Sequence, residues 1–520
     1  MARSASKKRP EGREFKPAFN GLQRWNQLTA IRSGMMSRFE QYASVTIPKV
    51  CLPEGVTQNT ASIQHDWSSV GAQAVNHLTN KLVIALFQPG MPFFRLDPDE
   101  KLRKQMEAAG VAEDVLRDAL VGGEQRALQV MDQKAVRPKV HEAIRNLVVV
   151  GNVLLDLFDE DNPRAIGIKN YAVKRSISGK VQEIVHYEKV LYDELDDAAK
   201  EVVPPKYGED SYVEYVRWFT KRHTKWNVNI SVDGQDLGEQ FSQTWNEDNF
   251  HLYPVVWDLA DNHDYGTGLV EDYAGDFGTL STLSEAEIKA AVLASDFRWL
   301  ANPAGVGDIE EFKRSRTGDV IPGVTSDLAL VAHVGTGALQ SIGMSVERVI
   351  QRIGRGFLLG TAVTRQAERV TAEEIRMQAN ELETSLGGVY SRLAVDMQLP
   401  ISRWLLRQIG VSIEGTTLIP TIITGLAALS RNAEAQQLGS FLSALAGVGT
   451  LPPDVLARLK LSPVISTLAS AYGITASQYV KSEEEVAQEQ QQAQAQQQEM
   501  MAQQEAAKAG AANLTKDTDE

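Results

Sequence analysis

The feature that most limits what this 520-residue chain can fold into is a change of hydrophobic period along it. In WSSVGAQAVNHLTNKLVIALF (67–87), Val75, Leu78, Leu82 and Leu86 fall at helical spacing and predict one buried helix face, stopped by Pro89-Gly90. Between about 161 and 257 the pattern switches. Trp226, Val228, Ile230 and Val232 alternate strictly with polar residues, Asp233-Gly234 follows as a hairpin signal, and Tyr212–Phe219 reads as another strand. Helical spacing returns over 267–300. A β-rich insertion between helical parts follows, so the expected fold class is α+β, mainly α-helical.

The flanking segments fill in this outline. Ala112 to Leu147 is helix-friendly with a break expected at Pro138, and Phe93, Phe94 and Leu96 suggest a short strand. The 267–300 stretch, if continuous, is a helix of about 50 Å; Gly275 and Gly278 weaken it and Pro303 ends it. Residues 318–334 read as short strands around Pro322-Gly323. Thr371 with Glu374 forms a capping box that opens a long helix. Its apolar stripe is Ile375, Ala379, Leu382, Leu386, Val389, Leu393 and Met397, with a bend permitted at Gly387-Gly388 and an end at Pro400. Residues 426–480 are small-residue-rich helices and turns. From Glu483 the chain is Gln-rich, polar and without an apolar stripe, which reads as a disordered or marginally helical tail.

Composition narrows the function classes. Hydrophobic residues at 43% and charged residues at 23% fit a soluble globular protein and exclude a wholly disordered chain or a fibre. The single cysteine, Cys51, can form neither an internal disulfide nor a thiolate zinc site, which suits a reducing cytoplasm. A net charge of −14 disfavours tight, extensive DNA binding, though not the transient passage of DNA past an acidic wall. Residues 1–16 run the other way: Arg3, Lys7, Lys8, Arg9, Arg13 and Lys16 against Glu11 and Glu14 make a basic arm, either simply solvated or in contact with nucleic acid or an acidic neighbour. The apolar runs 147–158 and 418–429 are too short to span a bilayer, and MARSASKKRPEGREFK carries no apolar core, so neither membrane contact nor a signal peptide is expected.

No catalytic residue, metal ligand set or cofactor is expected. There is no phosphate-binding G-x-x-x-x-G-K-[ST]; Gly179-Lys180 is followed by Val181. His141-Glu142 begins a zinc-protease pattern that no second histidine completes. Three groups remain. Asp258, Asp261, His263 and Asp264 could hold Mg²⁺ for nuclease or phosphotransferase chemistry, or be a solvated loop before a helix N-terminus. Lys221, Arg222, His223 and Lys225, between Phe219 and Trp226, could grip single-stranded nucleic acid, dock a partner, or form a polar turn between two strands. Arg365 and Arg369, in TAVTRQAERVTA (361–372), lie in an exposed connector that would become a collar of arginines if several copies formed a ring.

Four stretches taken in order carry a resemblance: WSSVGAQAVNHLTNKLVIALFQP (67–89), DYGTGLVEDYAGDFGTLSTLSEA (264–286), ERVTAEEI (368–375) and ELETSLGGVYSRLAVDMQLPI (381–401). Together they resemble the portal proteins, or head-to-tail connectors, of short-tailed bacteriophages. That resemblance implies a homo-oligomeric ring of about twelve subunits at one capsid vertex, through which double-stranded DNA enters and leaves. It implies a non-enzymatic virion protein, made in the host cytoplasm, with a separate terminase as motor. Its further partners would be a tail adaptor, the major capsid and scaffolding proteins, and internal core proteins. The implied parts are a basic arm (1–20), a wing (21–135 and 303–425, with a tunnel loop at 361–372), stem helices (136–160 and 256–302), a β-rich clip (161–255), a crown (426–482) and the Gln-rich tail (483–520). Arg365 and Arg369 would then face the DNA channel, and Lys221, Arg222 and Lys225 would lie where motor or tail docks. A nuclease built on Asp258–Asp264 and a passive scaffold stand as the competing readings.

Overall fold

Two short helices, α1 (Gly21–Ile31) and α2 (Ser33–Ser44), precede α3 (Val70–Leu86), where the expected stripe of Val75, Leu78, Leu82 and Leu86 is buried. A computed structural model describes residues 20–56, 65–88, 92–98, 100–109, 113–159, 161–203, 211–295, 298–302, 309–316, 328–331, 336–359, 381–382, 384–410 and 418–422, with a few isolated positions besides. It divides into two compact units, one of Met1–Phe87 with Asp132–Ile401, the other of Gln88–Met131 with Ser402–Glu520. The fold is α+β and mainly helical.

In the first unit the helix break falls at Ala135, which takes a left-handed conformation (φ 50°), and not at Pro138. Helix α4 (Val136–Val150) begins there and holds Pro138 in its first turn, where a missing N–H costs nothing. It ends at Gly151, a left-handed cap with φ 74°. The expected helix over 136–160 is therefore too long: Asn152–Asp156 is strand β1, every residue of it buried. Its two-sided burial removes the alternation that would have marked it as a strand. Strands β2 (Arg164–Ile166), β3 (Tyr171–Arg175), β4 (Val181–Leu191), β5 (Tyr212–Arg222), β6 (Lys225–Val232), β7 (Gln235–Asp236), β8 (Thr244–Asn246) and β9 (Leu252–Val256) follow. They form two antiparallel sheets, β9-β1-β2 and β3-β4-β5-β6-β7, with β8 also paired to β6. The β6–β7 turn is Asp233-Gly234, with φ 46° and 77°, the two positive values that such a tight hairpin requires.

Helix α1 covers one face of the larger sheet. Trp25 stacks on Tyr187 with ring centroids 4.9 Å apart, and Leu28 joins Val185, Val216 and Trp218 in one cluster. On the opposite face, Tyr192, Leu195 and Ala199, from the turn and short helix after β4, pack on Val213, Val232 and Leu237.

The second expected stem segment, 256–302, is likewise not one helix. A turn leads to a short helix (Leu269–Asp272), Tyr273 breaks it, and α5 runs Ala274–Ser295; Arg298–Ala301 is a strand paired with Leu328–Val331. Gly275 and Gly278 fall within the first turns of α5, so the break precedes them. Helix α6 (Thr336–Gly356) runs back antiparallel along α5: Arg352 meets Asp276 at 2.6 Å, and Phe357 packs edge-on against Tyr273 and Phe277. Further on, Leu382, Leu393 and Met397 are buried as their stripe predicts, while Ile375 and Ala379 lie outside the described residues. Gly387 (φ 49°) interrupts the helical path, as the glycine pair allows. Pro400 does not end it. A π-turn over Ala394–Gln398 leads into a helix at Leu399–Gln408 with Pro400 at its second position; a widened turn of this kind accommodates a residue lacking an N–H donor.

In the second unit, Phe94–Pro98 pairs antiparallel with Leu418–Ile422. The carboxylate of Glu124, on helix Glu113–Gln133, is buried and accepts the Leu96 N–H at 2.9 Å.

Candidate functional site

Lys221, Arg222 and Lys225 lie at one tip of the larger sheet. Arg222 and Lys225 form the last rung of the β5–β6 hairpin, and His223, at φ 55°, begins the two-residue turn between them. Lys221 is committed locally: its Nζ lies 2.6 Å from Glu247 Oε1 and 5.9 Å from the Trp226 ring centroid. Trp226 in turn stacks on Phe250 at 4.1 Å. The aromatics here face inward as a packed cluster, while Arg222 and Lys225 are exposed at the tip.

The acidic group from Asp258 to Asp264 is a turn whose charges point different ways. The Asp264 carboxylate lies 2.8 Å from Lys174 Nζ and accepts the Arg175 N–H at 2.7 Å. Asp258 lies 3.4 Å from Arg392, and His263 Nδ1 lies 2.8 Å from the Asp261 carbonyl. Among the described residues no three His, Cys, Asp or Glu side chains are arranged to hold a metal ion. The geometry thus gives the nuclease reading no support. His141 lies 2.9 Å from Asn80 Oδ1 at the surface.

Arg365 and Arg369 lie outside the described residues, as do Thr371 and Glu374, but the ends of their segment are described. On the near side Leu358 takes a left-handed φ of 57°, a conformation a leucine adopts only under constraint. Its carbonyl oxygen accepts from Lys81 Nζ at 3.1 Å and from His77 Nε2 at 3.0 Å. The same ammonium reaches Glu381, on the far side, at 3.3 Å. Burial, then the charge of Lys81, pulls the His77 imidazole below its ordinary range, so the ring that donates this bond is neutral. Sequence reading missed this frame: a lysine inside the apolar run of α3 was its only signal.

Two further features were missed. Where the chain enters and leaves the β-rich part, Gly151, Gly266 and Gly268 meet. The buried Asn152 side chain donates to Val150 O and Gly266 O, both at 2.7 Å, and accepts the Gly266 N–H at 2.8 Å. Between the two sheets, Arg217 bonds Asp156 at 3.2 Å and His186 Nδ1 at 2.7 Å. Glu188 is held by Arg164 and lies 3.9 Å from Arg217. An arginine can only donate, so His186 Nδ1 accepts and Nε2 carries the proton. Burial first, then Arg217 and Arg164, holds the His186 pKa well below the ordinary imidazole value.

No helix among the described residues is long and apolar enough to cross a membrane. The sequence model of the family described as bacteriophage head to tail connecting protein matches residues 20–480. The portal protein of Enterobacteria phage SP6 is 31% identical over 467 residues, covering 89% of this chain and 90% of that one. The portal protein of Escherichia phage T7 is 30% identical over 482 residues, covering 89% and 88%. Among solved structures, a chain from the neck of an empty gene transfer agent particle aligns with 74% of this chain and 88% of its own length, at 12% identity and a TM-score of 0.36.

Proposed function

This chain belongs to the bacteriophage head-to-tail connecting proteins, and we propose that it forms a ring around a channel for double-stranded DNA. It is a structural component of the virion, the portal that joins head to tail. The observation that carries this is a family match across residues 20–480, joined to about 30% identity with portal proteins over nearly their whole length. DNA enters through the ring during packaging and leaves through it on infection. The ring has about twelve subunits. No step of this is catalytic, so the energy comes from a separate terminase motor. The tail adaptor, major capsid, scaffolding and internal core proteins are the other neighbours, and synthesis takes place in the host cytoplasm.

Within this reading the sheets over 161–255 serve as the clip. Arg222 and Lys225 at the hairpin tip are docking residues for motor or adaptor, and Lys221 supports that tip from within through Glu247. Helices α4 and α5 belong to the stem, the segments 21–135 and 303–425 to the wing, and 426–482 to the crown. A net charge of −14 per subunit makes a channel wall that repels DNA and prevents sticking, while Arg365 and Arg369 in the 361–372 loop make brief phosphate contacts as a valve. The Lys81 bridge between Leu358 and Glu381 supports this by holding both ends of that loop's segment together.

Native mass spectrometry of the recombinant chain, paired with negative-stain imaging, tests the ring; a stable monomer or dimer at high concentration would remove the channel. Replacing Arg365 and Arg369 together by alanine is expected to leave rings intact and to impair DNA packaging or retention. Normal packaging and retention in that variant would end the valve reading. Arg222→Glu with Lys225→Glu is expected to weaken motor or adaptor binding by roughly tenfold, measured by pull-down on assembled rings. Unchanged binding would remove the tip from consideration.

A further inference from the structure

The sheet face opposite α1 carries a groove of about 500 Å³ that nothing among the described residues fills. Its floor is apolar, from Tyr215, Phe219, Val228 and Ile230 on β5 and β6, and its side is built by Leu237 and Phe241. A cavity of that size takes a short peptide stretch or a small molecule. Its charges are unbalanced. Arg164 and Arg217 line one end but are engaged by Glu188 and Asp156, whereas Glu194 and Asp196, at the other, are exposed carboxylates. They stand in an acidic run, Asp193, Glu194, Asp196 and Asp197. The groove therefore suits a segment that is both apolar and basic.

The chain supplies one, and delivers it to the right place. Residues 1–19 carry six basic side chains against two acidic ones, with Phe15 and Phe19 near their end. Their exit point is fixed. Asn20 caps α1 and donates its side-chain N–H to Gly234 O at 2.7 Å, while Arg24 holds Glu183 through two bonds at 2.7 and 2.8 Å. Gly234 lies three residues before Leu237 in the groove wall. It also lies at the same end of the sheet as the Leu191–Tyr212 rung, after which the acidic run begins. From β6 to β4 is two strand spacings, about 10 Å. Phe15 is five residues from Asn20, a reach of about 17 Å, so it spans to the groove with length to spare.

We propose that the N-terminal arm of this chain, residues 1–19, folds back over the Asp233-Gly234 turn into this groove, seating Phe15 on its apolar floor and its basic residues against Glu194 and Asp196. The inference stands apart from the connector reading, since it rests on the sheet and the arm alone. The test uses the full chain with Phe15 replaced by the photo-crosslinking residue p-benzoylphenylalanine, and maps the products by mass spectrometry. Cross-links to segments 195–199 or 237–245 of the same chain are expected. Adding Glu194→Lys and Asp196→Lys, both at the surface, is expected to lower that yield by about fivefold with the melting temperature unchanged. Cross-links only to other surfaces would overturn the proposal. So would products that join only different chains when isotope-labelled and unlabelled protein are mixed, because the occupant would then be a second copy. A yield indifferent to the two charge reversals would overturn the electrostatic part. Capture of a co-purified small molecule in the groove, with no arm cross-link there, would reassign it to that ligand.

Discussion

Gly151→Ala is expected to lower the melting temperature by roughly 10 °C or to leave the chain insoluble, a loss of about 3 kcal/mol or more. Two costs combine. The residue sits at φ 74°, where any side chain meets its own backbone, at about 1–2 kcal/mol. A Cβ there would also lie 2.2 Å from the Thr267 carbonyl carbon and 2.4 Å from Gly268 N. Those are backbone atoms, so no rotamer change relieves the contact. Gly268 faces the reverse problem: its Cβ would stand 2.7 Å from Val148 O and 2.8 Å from Gly151 N. The two glycines let the strand leaving α4 and the turn entering Leu269–Asp272 touch backbone to backbone, and Asn152 ties them with two hydrogen bonds to Gly266. This joint locks together the two ends of the β-rich insertion. Gly122→Ala is the control. Nothing lies within 4 Å of its added Cβ, and it sits inside a helix, so alanine should be neutral or stabilising by about 0.5–1 kcal/mol. Thermal melts of the two variants side by side separate strain at the joint from a general intolerance of lost glycine.

Much of this arrangement was legible wherever one face of an element is buried and the other is not. The α3 stripe and the β6 alternation, with Asp233-Gly234 after it, are periodic signals with a single interpretation. Legibility failed where burial is two-sided or where the partner is remote. Asn152–Asp156 is enclosed on both faces, so its run of apolar residues merged with the helix before it. The α5–α6 pairing depends on contacts between residues about 60–80 apart, which no local period encodes. Pro400 was a sound stop signal overridden by a π-turn. The basic cluster at 221–225 was visible as charge, but its division into an internal brace at Lys221 and exposed tips at Arg222 and Lys225 depends on Glu247, well beyond the turn in sequence.

Arg217→Met is expected to cost about 3–5 kcal/mol in thermal or denaturant unfolding, because it strands a charge. Asp156 has a side chain only 5% exposed; besides Arg217 its carboxylate keeps the Phe158 N–H at 3.0 Å. Glu188 suffers less, since Arg164 still holds it. Removing Asp156 as well, as Asp156→Leu in the Arg217→Met background, should recover part of the loss, and the double-mutant cycle isolates the coupling between the two. A pH series adds an independent readout. The native His186 pKa lies well below the ordinary value of 6.5, so between those two values the unfolded chain binds a proton that the native chain refuses. Stability then falls as pH drops below about 6.5, by up to about 1.4 kcal/mol per pH unit from this group. In Arg217→Met the burial that dominates the shift remains, but the nearest cation is gone, so the slope should shrink without vanishing. His186→Gln should flatten it further. An unchanged acid slope in both variants would mean that the carboxylates elsewhere, and not this buried imidazole, govern how the sheet responds to acid.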